Sequence, residues 1–194
     1  MNKRVILITG TPAVGKTTLA NKLAQNLNAQ SVNLTELTEQ EHLAKTEDKQ
    51  RGTTVIDEAK MRRKLKTIIE KTETDLIIDG HYAAAVTPKT QVTNVFVLRR
   101  NPVELREFMK RRGYNQAKQD ENLAAEILDV CLVEALQKQE KQKICELDTT
   151  GKTADETLNE VLAVLNGKKQ CYVGTVNWMG LLEREGKLDE YLKT

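Results

Sequence analysis

Aromatic side chains are scarce: 4% of the 194 residues, with one tryptophan, Trp178, and only two histidines in the chain. So little stacking surface argues against a protein that grips single-stranded nucleic acid on aromatic faces. There are three cysteines, Cys131, Cys145 and Cys171. They show no metal-ligand spacing and read as thiols of a reduced, intracellular protein. No apolar run approaches the roughly 20 residues of a membrane span. The apolar stretch near the N-terminus is too short for a signal peptide and reads as a strand. Charge of one sign is also lacking, since 30 Lys and Arg face 28 Asp and Glu for a formal net charge of +2. No strong global field therefore implies a polyanionic partner. Repeats and low-complexity segments are absent. These exclusions leave a cytoplasmic protein of about one domain, with no membrane partner and enough chain to bury a core.

Against this background one stretch stands out. The apolar run Val5-Ile6-Leu7-Ile8 leads into Gly10-Thr-Pro-Ala-Val-Gly15-Lys16-Thr17-Thr18. This is the spacing of a phosphate loop: two glycines bracketing four residues, then Lys and a hydroxyl residue. The glycines let backbone N–H groups turn toward a pyrophosphate. Leu19, Leu23 and Leu27 form a helical stripe just beyond, so the loop opens a helix whose positive end also favours anions. Lys16 is placed to reach β- and γ-phosphates, and the Thr17 hydroxyl to ligate Mg²⁺.

The rest of the chain alternates strand and helix patterns, which predicts an α/β fold with a mostly parallel sheet. A short strand is expected near Ser31 to Asn33. Residues 34–57 are polar and charged and read as a mobile insertion rather than a packed layer. A helix follows from Ile56 to Ile69, with Met61, Leu65 and Ile68 or Ile69 on one face. Leu76 to Ile78 forms a strand ending in Asp79-Gly80-His81, and Val95 to Leu98 another ending at Arg99. Asn101-Pro102 caps a helix running to about Arg111, interrupted at Gly113. From Asn115 to about Lys141 the pattern is one helix, with Leu123, Ile127, Cys131 and Ala135 in one row and Leu128, Leu132 and Leu136 in the next. Ile144 to Leu147 is a last strand. Thr153 to Glu156 is a capping box opening a helix through Leu165. After Gly167 the composition shifts, and the tail with Trp178 reads as a short helix or hairpin docked on the body.

Asp79, at the carboxyl end of a buried strand, is positioned to orient Mg²⁺. His81 is placed to orient a water or sense the γ-phosphate, or else is a loop histidine bonded to a carbonyl. Arg112 precedes a glycine hinge and can swing over a transferring phosphoryl group, with Arg111 and Lys118 as neighbours on the same flap. At least one of Arg99 and Arg100 should face phosphates. No guanine-selecting motif is present, and a base pocket from the flap and last strand suits adenine.

Together, GTPAVGKTT, Asp79-Gly80-His81, VFVLR at 95–99, RRGYN at 111–115 and the acidic helix around ENLAAEILDV resemble the atypical adenylate kinase family shared by archaea and eukaryotes, adenylate kinase isoenzyme six. The similarity spans roughly residues 3–166. It implies a three-layer P-loop nucleoside monophosphate kinase fold over residues 1–166, with an acceptor-binding insertion at about 34–57 and a short lid at about 111–121. Residues 167–194 form a tail of unassigned role. By the same resemblance Gly10, Ala13, Gly15, Lys16, Thr17, Thr18 and Arg112 hold ATP, Thr17 and Asp79 hold Mg²⁺, and Lys16, Asp79, His81 and Arg112 serve catalysis. The implied activity is adenylate kinase, ATP plus AMP giving two ADP, with ATPase activity. The implied cellular role is late small-ribosomal-subunit maturation, with a platform ribosomal protein (the uS eleven family) as partner and pre-rRNA involved only indirectly. Two departures bear on this. The family carries Gly where this chain has Ala13, which a negative φ would tolerate. The acceptor stretch ELTEQEHL lacks the Arg with which ordinary adenylate kinases grip AMP, leaving Lys45, Arg51, Arg62 or Arg63 for that task.

Overall fold

The computed structural model describes residues 3–48 and 53–192. Five parallel strands form the central sheet: β1 (Val5–Gly10), β2 (Gln30–Asn33), β5 (Leu76–Asp79), β6 (Asn94–Arg99) and β7 (Ile144–Asp148), in the order β2-β5-β1-β6-β7. β1 is central and its six residues are buried throughout, as expected of a strand covered on both faces. Successive side chains alternate across the sheet. Ile6 and Ile8 enter one core with Leu23, Phe96, Leu105 and Val161, while Val5 and Leu7 enter a second with Met61, Leu65, Ile78 and Val97.

The first core is covered by α1 (Lys16–Leu27), α5 (Pro102–Arg111), α6 (Gln116–Ile127) and α8 (Ala154–Leu165). The second is covered by α2 (Leu34–Gln40), α3 (Glu58–Lys71), α4 (Ala83–Val86) and α7 (Val130–Lys138). A small antiparallel hairpin, β3 (Ala44–Asp48) with β4 (Thr53–Ile56), lies between α2 and α3. The alternating, doubly covered sheet expected from the sequence is present. So are the Asn101 cap with Pro102 in the first turn and the Thr153–Glu156 capping box.

Three expectations are corrected. The segment from residue 34 is partly a packed layer: Leu34, Leu37, Thr38 and Leu43 are buried against α3 and β5, their apolar positions hidden among charged neighbours. The single helix from Asn115 to Lys141 is two. Leu123 and Ile127 of α6 pack into the first core, Leu132 and Ala135 of α7 into the second, and the chain passes the sheet end between them. Asp129, with φ of 58°, makes that turn in the left-handed conformation that Asp tolerates. Leu128 and Leu136, assigned to a core-facing row, are 48% and 36% exposed. Cys131 does pack, partly buried, against the second core. Finally, Cys145 and Cys171 are joined in a disulfide with Cα atoms 4.9 Å apart, so the reading of three free thiols holds for Cys131 alone.

The tail docks as expected. It forms α9 (Trp178–Arg184) and α10 (Leu188–Tyr191), and Trp178, Leu182 and Tyr191 are buried in the first core. No helix among the described residues is long and apolar enough to cross a membrane.

Candidate active site

The carboxyl ends of β1, β5 and β6 converge where the strand order reverses, the position at which open α/β sheets place ligands. β1 ends at Gly10, with φ of 137°; a Cβ there would lie 2.4 Å from the Leu98 carbonyl oxygen, so only glycine fits. The loop then turns through Ala13, with φ of 75°, to Gly15, with φ of 104°, which caps α1. No side chain caps this 12-residue helix, so its first N–H groups face the loop unclaimed by any side chain. The φ at Ala13 is positive, so the condition under which its methyl is tolerated without strain is not met. A residue with a Cβ is held here in a conformation costing about 1–2 kcal/mol.

Lys16 Nζ donates to the Thr11 carbonyl at 2.9 Å, which keeps the ammonium folded over the loop. Burial lowers its pKa from 10.5 to about 8, an effect only partly offset by Cys131, Asp79 and Glu126 nearby. The Thr17 hydroxyl donates to Asp79 Oδ2 at 2.8 Å. Asn33 completes a triangle, its Nδ2 donating to Asp79 Oδ2 at 2.9 Å and to Thr17 Oγ1 at 3.3 Å. The sheet register explains this meeting, since Asn33 and Asp79 are paired across β2 and β5. Asn33 Oδ1 simultaneously caps α2 by accepting from the Thr35 and Glu36 backbone. Asp79 is almost completely buried, and desolvation raises its pKa despite Thr17, Lys16 and Asn33. A hard divalent cation beside it would offset that cost, and oxygen donors at this spacing suit Mg²⁺.

His81 follows Asp79 at the cleft mouth, its carbonyl accepting from the Thr9 hydroxyl at 2.9 Å. The His81 residue is exposed on its outer side; desolvation of its protein-facing side, then the charges of Lys16 and Lys118, lower its imidazole pKa and favour the neutral ring. Lys118 is close enough for its charge to act on this imidazole, and its ammonium lies 4.8 Å from the Tyr114 ring centroid. On the other side of the loop is a cavity of about 240 Å³ lined by Ala13, Gly15, Thr18, Arg100, Phe108, Arg112, Thr149 and Lys152. Arg112 thus reaches the cleft from the end of α5. Arg111 turns toward the Phe108 ring.

The expectation for Arg99 and Arg100 is corrected. Arg99 is fully buried and ion-paired to Glu126 at 2.8 Å, to Glu146 at 2.7 Å, and to Asp129. Arg100 pairs with Glu104 at 2.6 Å, donates to Thr149 Oγ1 at 3.1 Å and lies 4.6 Å above the Phe108 ring. Neither guanidinium is free for phosphates; Arg100 instead helps wall the cavity.

A family model described as an AAA domain matches residues 6–129. A protein named "Putative adenylate kinase" from Methanococcus maripaludis is 35% identical over 180 residues, covering 90% of this chain and 95% of its own. A relative of the same name from Pyrococcus furiosus is 36% identical over 179 residues, with 92% and 93% covered. The chain belongs to this adenylate kinase-like family. The aligned share exceeds what residues 3–166 make up, so the family similarity continues into the tail.

Solved structures agree on the fold. A shikimate kinase from Acinetobacter baumannii superposes with a TM-score of 0.62 at 14% identity, covering 86% of this chain and 95% of that one. A thymidylate kinase from Candida albicans does so at 0.54 and 17%, covering 88% and 97%. The fold is that of P-loop nucleoside monophosphate kinases.

Within the family site, the geometry adds residues that the motifs did not point to. Asn33 bridges Thr17 and Asp79, and its only sequence signal was a capping residue before an acidic stretch. Thr11 and Glu126 are bonded to each other at 2.5 Å beneath the loop. In the sequence Glu126 stands out only as one acid of the acidic helix around ENLAAEILDV.

Proposed function

We propose that the protein is an ATP-dependent nucleoside monophosphate kinase, with AMP as the acceptor, that also hydrolyses ATP. The observation carrying this reading is that Lys16 and the Thr17–Asp79 pair lie side by side at the carboxyl ends of β1 and β5. Backbone N–H groups from Gly10 to Thr18 hold the donor phosphates, and the cavity bounded by Arg112 and Thr149 takes the adenine. Thr17 and Asp79 hold Mg²⁺, with Asn33 fixing both. Among the described residues no group of three or more His, Cys, Asp or Glu side chains could cage a metal. Mg²⁺ takes one or two protein ligands, which the Thr17–Asp79 pair could supply, and completes its shell with water and phosphate. Held by Thr17 and Asp79, the ion would supply positive charge to offset that of the phosphate groups.

Transfer moves the γ-phosphoryl group from its oxygen on ADP to a phosphate oxygen of the acceptor. Lys16 follows the migrating charge, Arg112 closes on it from α5, and Lys118 adds a second cation from the lid. Positioning and electrostatics suffice; no covalent intermediate is required. His81, neutral at pH 7, accepts a hydrogen bond from the water that attacks when no acceptor is present. A coupled assay should register ADP from ATP plus AMP well above ATP alone. If no monophosphate raises ADP output above that baseline, the kinase reading falls.

A second reading, an ATPase that times release of a ribosomal protein in small-subunit maturation, is favoured by the acceptor segment. Its helix α2 holds no arginine. Arg62 is spent on the Ala85 carbonyl. Lys45 and Arg63 are exposed, and Arg51 lies outside the described residues. AMP therefore has no dedicated guanidinium in α2. By resemblance the partner is the platform ribosomal protein, pre-rRNA is contacted only indirectly, and the setting is cytoplasmic. A monophosphate panel run with and without the platform protein separates the two, because an assembly factor's hydrolysis rate should respond to that protein and a simple kinase's should not.

A further inference from the structure

The C-terminal strap reaches the floor of the phosphate loop through one buried carboxylate. Glu126, 2% exposed, accepts four hydrogen bonds. The Thr11 hydroxyl donates to Oε2 at 2.5 Å; Arg99 Nε at 2.8 Å, the Arg100 backbone N–H at 3.1 Å and the Trp178 indole Nε1 at 2.9 Å all donate to Oε1. Thr11 is the first residue after Gly10, so its side chain ties the loop to Glu126. Trp178 lies in the tail and does not line the nucleotide cavity. The strap, the tail segment before Trp178, is also fixed to β7. Cys171 is bonded to Cys145 on β7, and Thr175 donates through its backbone N–H and hydroxyl to Glu146 at 2.8 and 3.2 Å. Arg99 bridges Glu146 to Glu126.

A core at this place could be closed with apolar groups at no loss of stability, because burying a charge is costly unless every partner is present. What an apolar closure would not supply is a rigid acceptor for a loop residue. We propose that Glu126 and Trp178 are positioning residues for the phosphate loop, so that the docked tail sets how tightly the loop holds the donor phosphates. The inference rests on the nucleotide reading of that loop. Its physical basis is the shared carboxylate: losing any one donor lets Glu126 reorient toward the rest, and Thr11 with it.

Trp178 is the only tryptophan, so its emission reports this link directly. Calorimetry first measures ATP binding to the unaltered, oxidised chain. Saturation with ATP should then change the Trp178 emission. Thr11→Val, similar in shape but without the hydroxyl, should still bind ATP, about three- to tenfold more weakly, as expected for one lost hydrogen bond. It should lose the emission response, and Thr11→Ser should restore both. Trp178→Phe should raise KM for ATP by a similar factor with kcat retained, and the double variant should cost less than the two effects combined. No ATP binding by the unaltered chain would overturn the nucleotide reading and this inference together. ATP binding with an emission response that survives in Thr11→Val, or unchanged affinity in Trp178→Phe, overturns the inference alone.

Discussion

Single residues in this protein carry conformational or electrostatic costs that mark the site. Ala13 holds a left-handed φ of 75° in a loop position where glycine is free of penalty. Ala13→Gly should therefore stabilise the chain by about 0.5–1 kcal/mol after the extra unfolded-state entropy of glycine is counted. For a chain this size that is a rise in melting temperature of about 1–4 °C, measurable by calorimetry; a fall would mean that the loop is not strained there. Lys16 carries a different cost. Its pKa falls from 10.5 unfolded to about 8 folded, chiefly through burial. Between those values the unfolded chain binds more protons, so Lys16 makes stability rise with pH from about 8 to 10.5. Lys16→Ala should abolish turnover, fold normally and lose that pH-dependent gain. In the unaltered chain ATP affinity should weaken as pH passes 8, because the ammonium that pairs with phosphate is lost. His81→Ala should slow ATP hydrolysis while leaving ATP affinity nearly unchanged; an unaltered hydrolysis rate removes His81 from the water-positioning role.

At the scale of elements, each corrected boundary has a physical origin that local pattern does not encode. The rows from Leu123 to Leu136 continue smoothly at helical spacing, yet α6 and α7 serve opposite faces of the sheet. Only the position of the sheet end, a long-range fact, dictates a turn at Asp129. The expectation that at least one of Arg99 and Arg100 faces phosphates rests on their ending a strand beside the loop, but Arg99 lies in the core, where Glu126, Asp129 and Glu146 meet it. By contrast the five strands of the parallel sheet, the loop spacing, the Thr153 capping box and the place of Asp79 at a strand end were legible, since each is written in a short run with its own period or spacing, whereas the β3–β4 hairpin, inside a charged stretch, was not. Asn33 was not, because its role depends on β2 lying beside β5. The Cys145–Cys171 bond likewise joins β7 to the strap across a separation of 26 residues. Closing a loop of that length contributes up to about 3–4 kcal/mol in the chain-entropy account. Reducing the unaltered chain with dithiothreitol should lower its melting temperature by several degrees. It should also weaken ATP binding if the strap positions the loop. A reduced chain with the oxidised melting point would show that the bond does not hold the tail in place.

Across the whole molecule, two cores lie on opposite faces of the sheet, and the site lies where its strands end between them. A ligand there contacts β1, β5, α1 and the lid end of α5 at once, so it should stabilise both halves together rather than one. Binding to the folded state adds RT ln(1 + [L]/Kd), about 2.7 kcal/mol at a ligand concentration one hundred times Kd. That corresponds to a rise of roughly 5–10 °C in one cooperative transition. The increment should depend on Mg²⁺ in a particular way. The Thr17 hydroxyl and Asp79 carboxylate lie within a hydrogen bond of each other, and desolvation leaves the carboxylate poorly compensated. ATP with Mg²⁺ should therefore raise the transition more than ATP with chelator. In Thr17→Val the chelator-resistant part should persist, because Lys16 and the loop N–H groups remain, while the Mg²⁺-dependent part should be lost. Equal shifts with and without Mg²⁺ in the unaltered chain would remove Thr17 and Asp79 from the metal role and leave the loop as a phosphate cradle alone.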